Sequence, residues 1–324
     1  MGLILNDLKN ACELEHVCDY VNNRTTSSMN YISTENMLPN KGGISESTII
    51  PPGTTTEYKI GDILISNIRP YFQKIWCADR CGGCSADVLC IRAKENTDSK
   101  YLYYLLSQQA FFDYVMSGAK GCKMPRGDKK QIMQWPVNIP AIDVQKKVVA
   151  ILSSLDNKIR LNRRINDNLE EQAKALFNHY FIQNTENLGE WQDGVLTDIA
   201  QYLNGLAMQK YPAMPNEAGL PVLKIKELGQ GQCDTNSDRC SSLIKPEYII
   251  SDGTIIFSWS GTLLVDIWCG GKCGLNQHLF KVSSAKYPQW FVLYWTKHHL
   301  NKFIRIAKDK AVTMGHIKRC DLEI

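Results

Sequence analysis

No apolar run in the chain approaches the roughly 18 consecutive residues that would cross a bilayer, and the opening MGLILNDLKN breaks its few apolar residues with Asn6, Asp7 and Lys9. Neither a membrane anchor nor a secretory signal is readable there, and a cytoplasmic location is the expectation. Cysteine is too sparse for a disulfide scaffold, with 12 in 324 residues, and a chain of this length can bury a core without such links, so reduced thiols are expected. A glycine-rich phosphate loop of the Walker or Rossmann type is missing. The 6 histidines show no catalytic or zinc-ligand spacing; His298 and His299 are adjacent and would leave a helix in different directions. These absences argue against an enzyme with a recognisable catalytic site. Charge of one sign is lacking as well. Lys and Arg number 37 against 33 Asp and Glu, a net of +4, so only local arrangement can point to nucleic acid.

What is present is a globular composition, 44% hydrophobic and 22% charged, in a length that suggests two domains or one unit repeated. Repetition is visible. LEHVCDYVNN (14–23) matches LTDIAQYLNG (196–205), setting Tyr20 against Tyr202 and Asn22 against Asn204. Gly61-Asp62-Ile63-Leu64-Ile65-Ser66 stands against Gly253-Thr254-Ile255-Ile256-Phe257-Ser258, and Trp76-Cys77 and Cys81-Gly82 stand against Trp268-Cys269 and Cys273-Gly274. Tyr101 onward faces the aromatic stretch from Trp290 to Trp295, and Met124 faces Met314. Landmarks in constant order with small changes of offset mean a tandem duplication with divergent loops. Each copy has short β-branched and aromatic runs bounded by turn residues, such as 62–67, 73–77 and 87–91, followed by a helix (99–116 or 288–307) and a basic loop (120–130 or 308–319). The fold class expected is mixed α+β, two repeated domains joined by a long coiled-coil-type helix.

That helix is read from 140 onward. Pro140 closes the first domain, Asp143 is the expected N-cap, and Gly and Pro do not recur until Gly189. Val148, Leu152, Leu155, Ile159, Asn162, Asn166, Leu169, Ala173, Leu176 and Tyr180 recur at alternating intervals of four and three, a heptad seam that implies a partner helix. Asn162 and Asn166 near its middle would set register. Expected boundaries are 1–139 for the first domain, 140–183 for the helix and 184–324 for the second domain.

Two divergent copies of one mixed domain about a heptad helix resemble the specificity (S) subunit of type I restriction-modification enzymes. The resemblance runs through GDILISNIRPYFQKIW (61–76), IPAIDVQKKVVAIL (139–152), IIFSWSGTLLVDIW (255–268), LNQHLFKV (275–282) and MGHIKR (314–319). It implies a non-catalytic chain in which each domain is a target-recognition domain for one half of a bipartite double-stranded DNA site. The helix would set the spacer and dock methyltransferase (M) subunits, with restriction (R) subunits completing the complex. No cofactor is implied for this chain; S-adenosylmethionine, ATP and Mg belong to the partners. Family members usually carry a second conserved helix after the second domain. Here Ile324 stands opposite Gln134, so the expectation is a chain without that helix. Such a chain would form a homodimer through its central helix, or work as a fragment paired with another S-type chain.

Phosphate contacts are expected from Lys120, Lys123, Arg126, Lys129 and Lys130, and from Lys308, Lys310, Lys318 and Arg319 with His316, because basic residues recur at the same place in both copies. Base readout is expected from Arg24, Asn30 and Arg69 in the first copy and Gln209 and Lys210 in the second, with Lys74 a further expected DNA contact. Lys224 and Lys226 alternate with Leu223 and Ile225, placing both on one face of a strand, either a DNA face or a wet one. Trp259 would stack on DNA or belong to the core. A further alternative is a zinc-dependent enzyme on Cys77, Cys81 and Cys84. Against it, the second copy keeps only Cys269 and Cys273, with Asn276 opposite Cys84 and Val282 opposite Cys90.

Overall fold

The computed structural model describes residues 11–26, 29–46, 53–121, 123–183, 192–309 and 315–323. Contacts divide the chain into two units, Met1–Ile165 and Asn166–Ile324. Each is a mixed α and β structure carrying its own part of the 37-residue helix Ile142–Asn178, which continues into one π-helical turn, His179–Gln183. The α+β class and the long helix between two copies of one domain follow the sequence reading.

The duplication is visible as topology. In the first unit a four-stranded antiparallel sheet runs in the order Cys18–Tyr20, Val88–Ala93, Ile63–Ser66, Ile75–Cys77. In the second the order is Gln201–Asn204, Leu279–Ser283, Ile255–Ser258, Leu264–Ile267, the same strand for strand. Both central strands are covered on both faces, so their sequences are unbroken apolar runs rather than alternating ones. Successive side chains leave opposite faces. Ile63 and Ile65 join Leu102, Phe111 and Trp135 in one core, while Leu64 joins Tyr58, Trp76 and Cys84 in another. Ile255 and Phe257 pack with Val292 and Phe303, while Ile256 packs with Leu223, Trp268 and Leu275. Each such fully buried side chain contributes about 1.5–3 kcal/mol relative to exposure. The second face is closed by a smaller sheet, Arg24–Thr25, Thr55–Tyr58 and Gly82–Cys84 in one unit. In the other it is Arg239–Cys240, Leu220–Leu223, Cys273–Leu275 and Ile249–Ile250.

The repeated Gly and Ser have matching duties. Gly61 and Gly253 adopt φ +88° and +85°, a region open to glycine without strain. Their N–H groups donate to the carbonyls of Ala78 and Trp268, at 2.8 Å in both cases. Ser66 and Ser258, buried at the end of the central strand, donate to the carbonyls of Ile68 (2.9 Å) and Ser260 (3.2 Å), bracing the turn that follows.

Several sequence expectations change. The Trp-Cys and Cys-Gly pairs are not equivalent in the ladders. Cys77 lies opposite Ile63, whereas Ile267 and not Cys269 lies opposite Ile255. Likewise Gly82 faces Tyr58 where Cys273 faces Ile250. The turn after the central strand is two residues shorter in the second unit, Ser258 pairing with Leu264 where Ser66 meets Lys74, and later landmarks slip accordingly. The helix read over 99–116 is two, Ser99–Leu106 and Gln109–Ser117, whereas its counterpart Gln289–Asp309 is continuous. Lys224 and Lys226 do not share a strand face. The strand ends at Leu223, Lys224 is the N-cap of helix Ile225–Gln230, and Lys226 lies inside that helix. The central helix starts at Ile142, placing Asp143 in its first turn rather than at the cap.

Exposure along the seam is uneven, and the buried contacts of the helix with its own domains lie off it. In the first unit Val148 and Leu152 are half-buried, while Leu155 and Ile159 are exposed, as are the off-seam Ile151, Leu161 and Ile165. The helix start is held by Gln145, fully buried off the seam, whose amide nitrogen donates to the carbonyls of Asn96 (3.0 Å) and Pro140 (2.8 Å) and whose oxygen accepts the N–H of Asp98 (2.9 Å). In the second unit Asn166, Leu169 and Leu176 are exposed and the buried residue is Phe177, one position off the seam. Asn162 is exposed as well.

Candidate nucleic-acid interface

Each unit brings its basic loop against the turn that follows its central strand. In the first unit Lys120 and Arg126 close a small hairpin by exchanging backbone hydrogen bonds of 2.9 and 3.0 Å, and Arg126 bridges to Ile68. The N–H of Arg69 donates to the carbonyl of Pro125 (2.8 Å), and that of Gly127 to Asn67 (3.3 Å). In the second unit His316 bridges to Ser260, Gly261 N–H donates to Gly315 (2.9 Å) and Ile317 N–H to Trp259 (3.0 Å). Basic loops widely separated in sequence from their strands are thereby fixed at the same end of the same strand in both copies.

The cations of the first unit differ in freedom. Lys123 is exposed. Lys120 is exposed but within 2.9 Å of Asp128, whose carboxylate also caps helix Lys129–Met133 by accepting the N–H of Lys130 and Gln131. The Lys120 ammonium, followed by those N–H groups, holds the Asp128 carboxyl below its ordinary range. Arg126 extends its guanidinium to Asp87 at 3.1 Å, with side chains 54% and 38% exposed, so the pair is accessible from outside. Arg69 and Gln73 flank the turn Pro70–Phe72 in left-handed conformations, φ 51° at both, uncommon for residues other than Gly and Asn. Tyr71 and Phe72 are exposed on that turn.

Other predicted residues lie elsewhere in the unit. Arg24, Asn22, Thr56 and Lys129 line an open cavity of about 430 Å³ beside Tyr20, whose hydroxyl donates to the Lys129 carbonyl at 3.0 Å. Burial raises the Tyr20 hydroxyl above its ordinary pKa. Asn30 directs its amide nitrogen at the Cys81 carbonyl (3.0 Å), and Lys74 its ammonium at the Thr34 carbonyl (2.8 Å), so both side chains serve the domain's own loops.

In the second unit Gln209 and Lys210 form the turn Met208–Lys210. Gln209 shares a cavity of about 180 Å³ with Lys224, Asp238, Arg239 and Asn276. Lys224 is paired with Asp238, and Lys226 lies 3.4 Å from Asp234 and 3.8 Å from Glu227. His316, Lys318 and Arg319 are exposed; Lys310 lies outside the described residues. Trp259 is not free: its ring packs against the core of the second unit, 5.9 Å from Phe280. Half-buried, it donates from Nε1 to Asn204 Oδ1 (2.9 Å), with its ring 5.8 Å from His278 and 6.5 Å from His316.

The cysteines of the zinc alternative separate. Cys77 sits on the four-stranded sheet, Cys84 is buried on the smaller one, and Cys81 is exposed between them. Among the described residues no group of three or more His, Cys, Asp or Glu could hold a metal ion. No described helix is long and apolar enough to cross a membrane. Sequence reasoning missed Asp87, Asn67 and Asp128. Nothing in the linear spacing marks them, since their partners lie in another loop or carry no repeated residue type.

A family model described as Type I restriction modification DNA specificity domain matches residues 9–171. The specificity subunit of the type I restriction enzyme MjaIX of Methanocaldococcus jannaschii is 25% identical over 252 residues, 71% of this chain and 58% of that protein. The specificity subunit of the HindI enzyme of Haemophilus influenzae is 29% identical over 161 residues, 47% of this chain and 35% of that protein. The match thus spans little more than half of one relative and about a third of the other. The crystal structure of the S subunit of a type I restriction-modification system from M. genitalium shares the fold. Its TM-score is 0.50 at 12% identity, covering 97% of this chain and 85% of that one.

Proposed function

The chain belongs to the type I restriction modification DNA specificity family, and from that premise we propose that it selects the DNA site of a type I restriction-modification complex without itself doing chemistry. Each domain reads one half of a bipartite double-stranded target. The observation that carries this is the repeated loop placement: one scaffold, built twice, sets a basic loop against the same strand end with different side chains. Unlike half-sites follow, in contrast to a two-fold dimer on a palindrome.

The central helix sets the gap between the half-sites. Its apolar stripe, with Leu155, Ile159, Leu169 and Leu176 between 50% and 58% exposed, is the docking surface for methyltransferase subunits, since so long a stripe is seldom left in water. S-adenosylmethionine, ATP and Mg act on those partners and on the restriction subunits. Pairing of two copies, with Asn162 and Asn166 facing each other in antiparallel helices, is the competing occupant. It is distinguished by a doubled mass in light scattering that Leu155→Glu with Leu169→Glu abolishes.

The test of the function is an exchange. Replacing residues 1–138 with the corresponding domain of a similar protein, in a host carrying the cognate methyltransferase subunit, is expected to change one half of the methylated motif and leave the other intact. Simultaneous change of both halves overturns the modular reading. The phosphate contacts are tested by salt. Lys120, Lys123 and Lys129 changed together to Ala are expected to weaken binding to all sequences and to lower the slope of log affinity against log salt by about 0.9 per lost contact. An unchanged slope removes these lysines from the DNA surface.

A further inference from the structure

The strand-end pocket holds three positions equivalent in the two units by backbone pairing. The first follows the central strand's last residue, Asn67 or Trp259; its N–H donates to the carbonyl of the second, Asp87 (2.9 Å) or His278 (3.3 Å). The third, Arg126 or His316, bridges to the next residue of the turn, Ile68 or Ser260. The residue after the third donates its N–H back to the first, Gly127 to Asn67 (3.3 Å) and Ile317 to Trp259 (3.0 Å). The scaffold is one; the chemistry is two. In the first unit a carboxylate holds a guanidinium at 3.1 Å beside a buried amide. In the second an indole ring lies beside two imidazoles.

Two buried polar atoms at this place lack hydrogen-bond partners among the described residues, Asn67 Oδ1 in the first unit and His278 Nδ1 in the second. Asn67 is 9% exposed. A Cβ on Gly127 would stand 2.8 Å from Val115 Cγ1 and 2.9 Å from Asn67 Oδ1, so only glycine fits between the core and the amide beside Arg126. Buried polar atoms without partners are uncommon in folded proteins, and each unit has one at this place.

Building on the reading of the chain as a DNA-selecting subunit, we propose that these three positions are the specificity-determining pocket of each domain, and that in the first domain Arg126 reads a guanine. A guanidinium meets the O6 and N7 of guanine with two parallel hydrogen bonds in the major groove, a geometry no other side chain matches as well. Asp87 is its positioning residue: its carboxylate pairs with the guanidinium at 3.1 Å and restricts the side chain's rotation before DNA arrives. With His316 at the equivalent place, the second domain has no such fork, so the guanine requirement belongs to one half-site.

Methylome mapping tests this in a host carrying the full chain with its methyltransferase subunit, comparing wild type with Arg126→Ala, Arg126→Lys and Asp87→Asn. The expected result is loss of discrimination at a single G·C pair of one half-site, about tenfold or more for both Arg126 variants. Asp87→Asn, which keeps the arginine, relaxes the same position to a smaller degree, and every other position of the motif stays. A merely structural role for Asp87 would lower methylation evenly and leave base preference unmoved, which overturns its assignment. A motif unchanged in all variants overturns the pocket, as does a uniform fall with a reduced salt slope, which makes Arg126 a phosphate contact. A wild-type chain that directs no two-part motif overturns the functional reading itself, and is distinguished from failure of the pocket because it appears before any substitution.

Discussion

Arg92→Met is expected to destabilise the first domain by about 3–5 kcal/mol, because it leaves a buried carboxylate without its counter-ion. Asp62 has a side chain 2% exposed. It accepts from Arg92 Nε at 2.7 Å, from Arg92 Nη2 at 2.7 Å and from the Lys59 N–H at 2.8 Å. With the guanidinium gone, only the Lys59 N–H and the weak Cys90 thiol donor at 3.6 Å remain against a full negative charge. Asp62→Asn should cost less, about 1–3 kcal/mol, since it removes the charge and leaves an arginine already 38% exposed that water can solvate. Thr254 and Ser283 occupy the equivalent places in the second domain, so its unfolding should be unaffected. Calorimetry is the measurement: the first domain's transition falls by about 10 °C or more in Arg92→Met while the other stays. Equal effects of the two substitutions would mean that the carboxylate is better solvated than its burial implies.

Phe177→Ala is the second large effect, expected to cost the second unit about 3–5 kcal/mol. The ring is 4% exposed, 5.5 Å from Tyr294, 5.3 Å from Trp295 and 5.2 Å from Phe181. A cavity among such large neighbours cannot collapse without moving the helix Gln289–Asp309. The ion pair of Glu170 with Lys297, at 2.6 Å, supports the same contact about two turns away, and the lysine holds the Glu170 carboxyl below its usual range. With Glu170 61% exposed, that pair is screened by water on one side and adds little. Leu176→Ala, at a side chain 58% exposed, should change the isolated chain by under about 0.5 kcal/mol. Amide exchange over residues 170–183 should therefore quicken in Phe177→Ala and hardly at all in Leu176→Ala. Matching losses at both positions would show that the seam is already covered in the isolated protein.

The contrast between Leu176 and Phe177 marks where sequence patterning stops being informative. A heptad seam states which residues would meet a partner helix, and the exposed stripe is legible in the intervals alone. Which other face the helix turns to its own domain depends on aromatic residues of Gln289–Asp309, more than a hundred positions away, and no spacing records that. Gln145 was equally hidden: its duty lies with Asn96 and Pro140 carbonyls, and a carbonyl leaves no mark in a sequence.

By itself the sequence determined that there are two copies of one α+β domain, that a long helix lies between them, and that each copy carries a basic loop after its helix. These are properties of periodicity and repetition, set by local backbone geometry and by what must leave water. Only the tertiary structure decided the register and the pocket. A turn two residues shorter in the second copy moved Cys269 and Cys273 out of the positions their letters suggest. Hydrogen bonds between loops far apart in the chain brought Asn67, Asp87 and Arg126 together in one unit and Trp259, His278 and His316 in the other. Pairing between distant loops is fixed by the closure of the whole domain, so the residues it gathers share no interval, residue type or motif by which the sequence could have announced them.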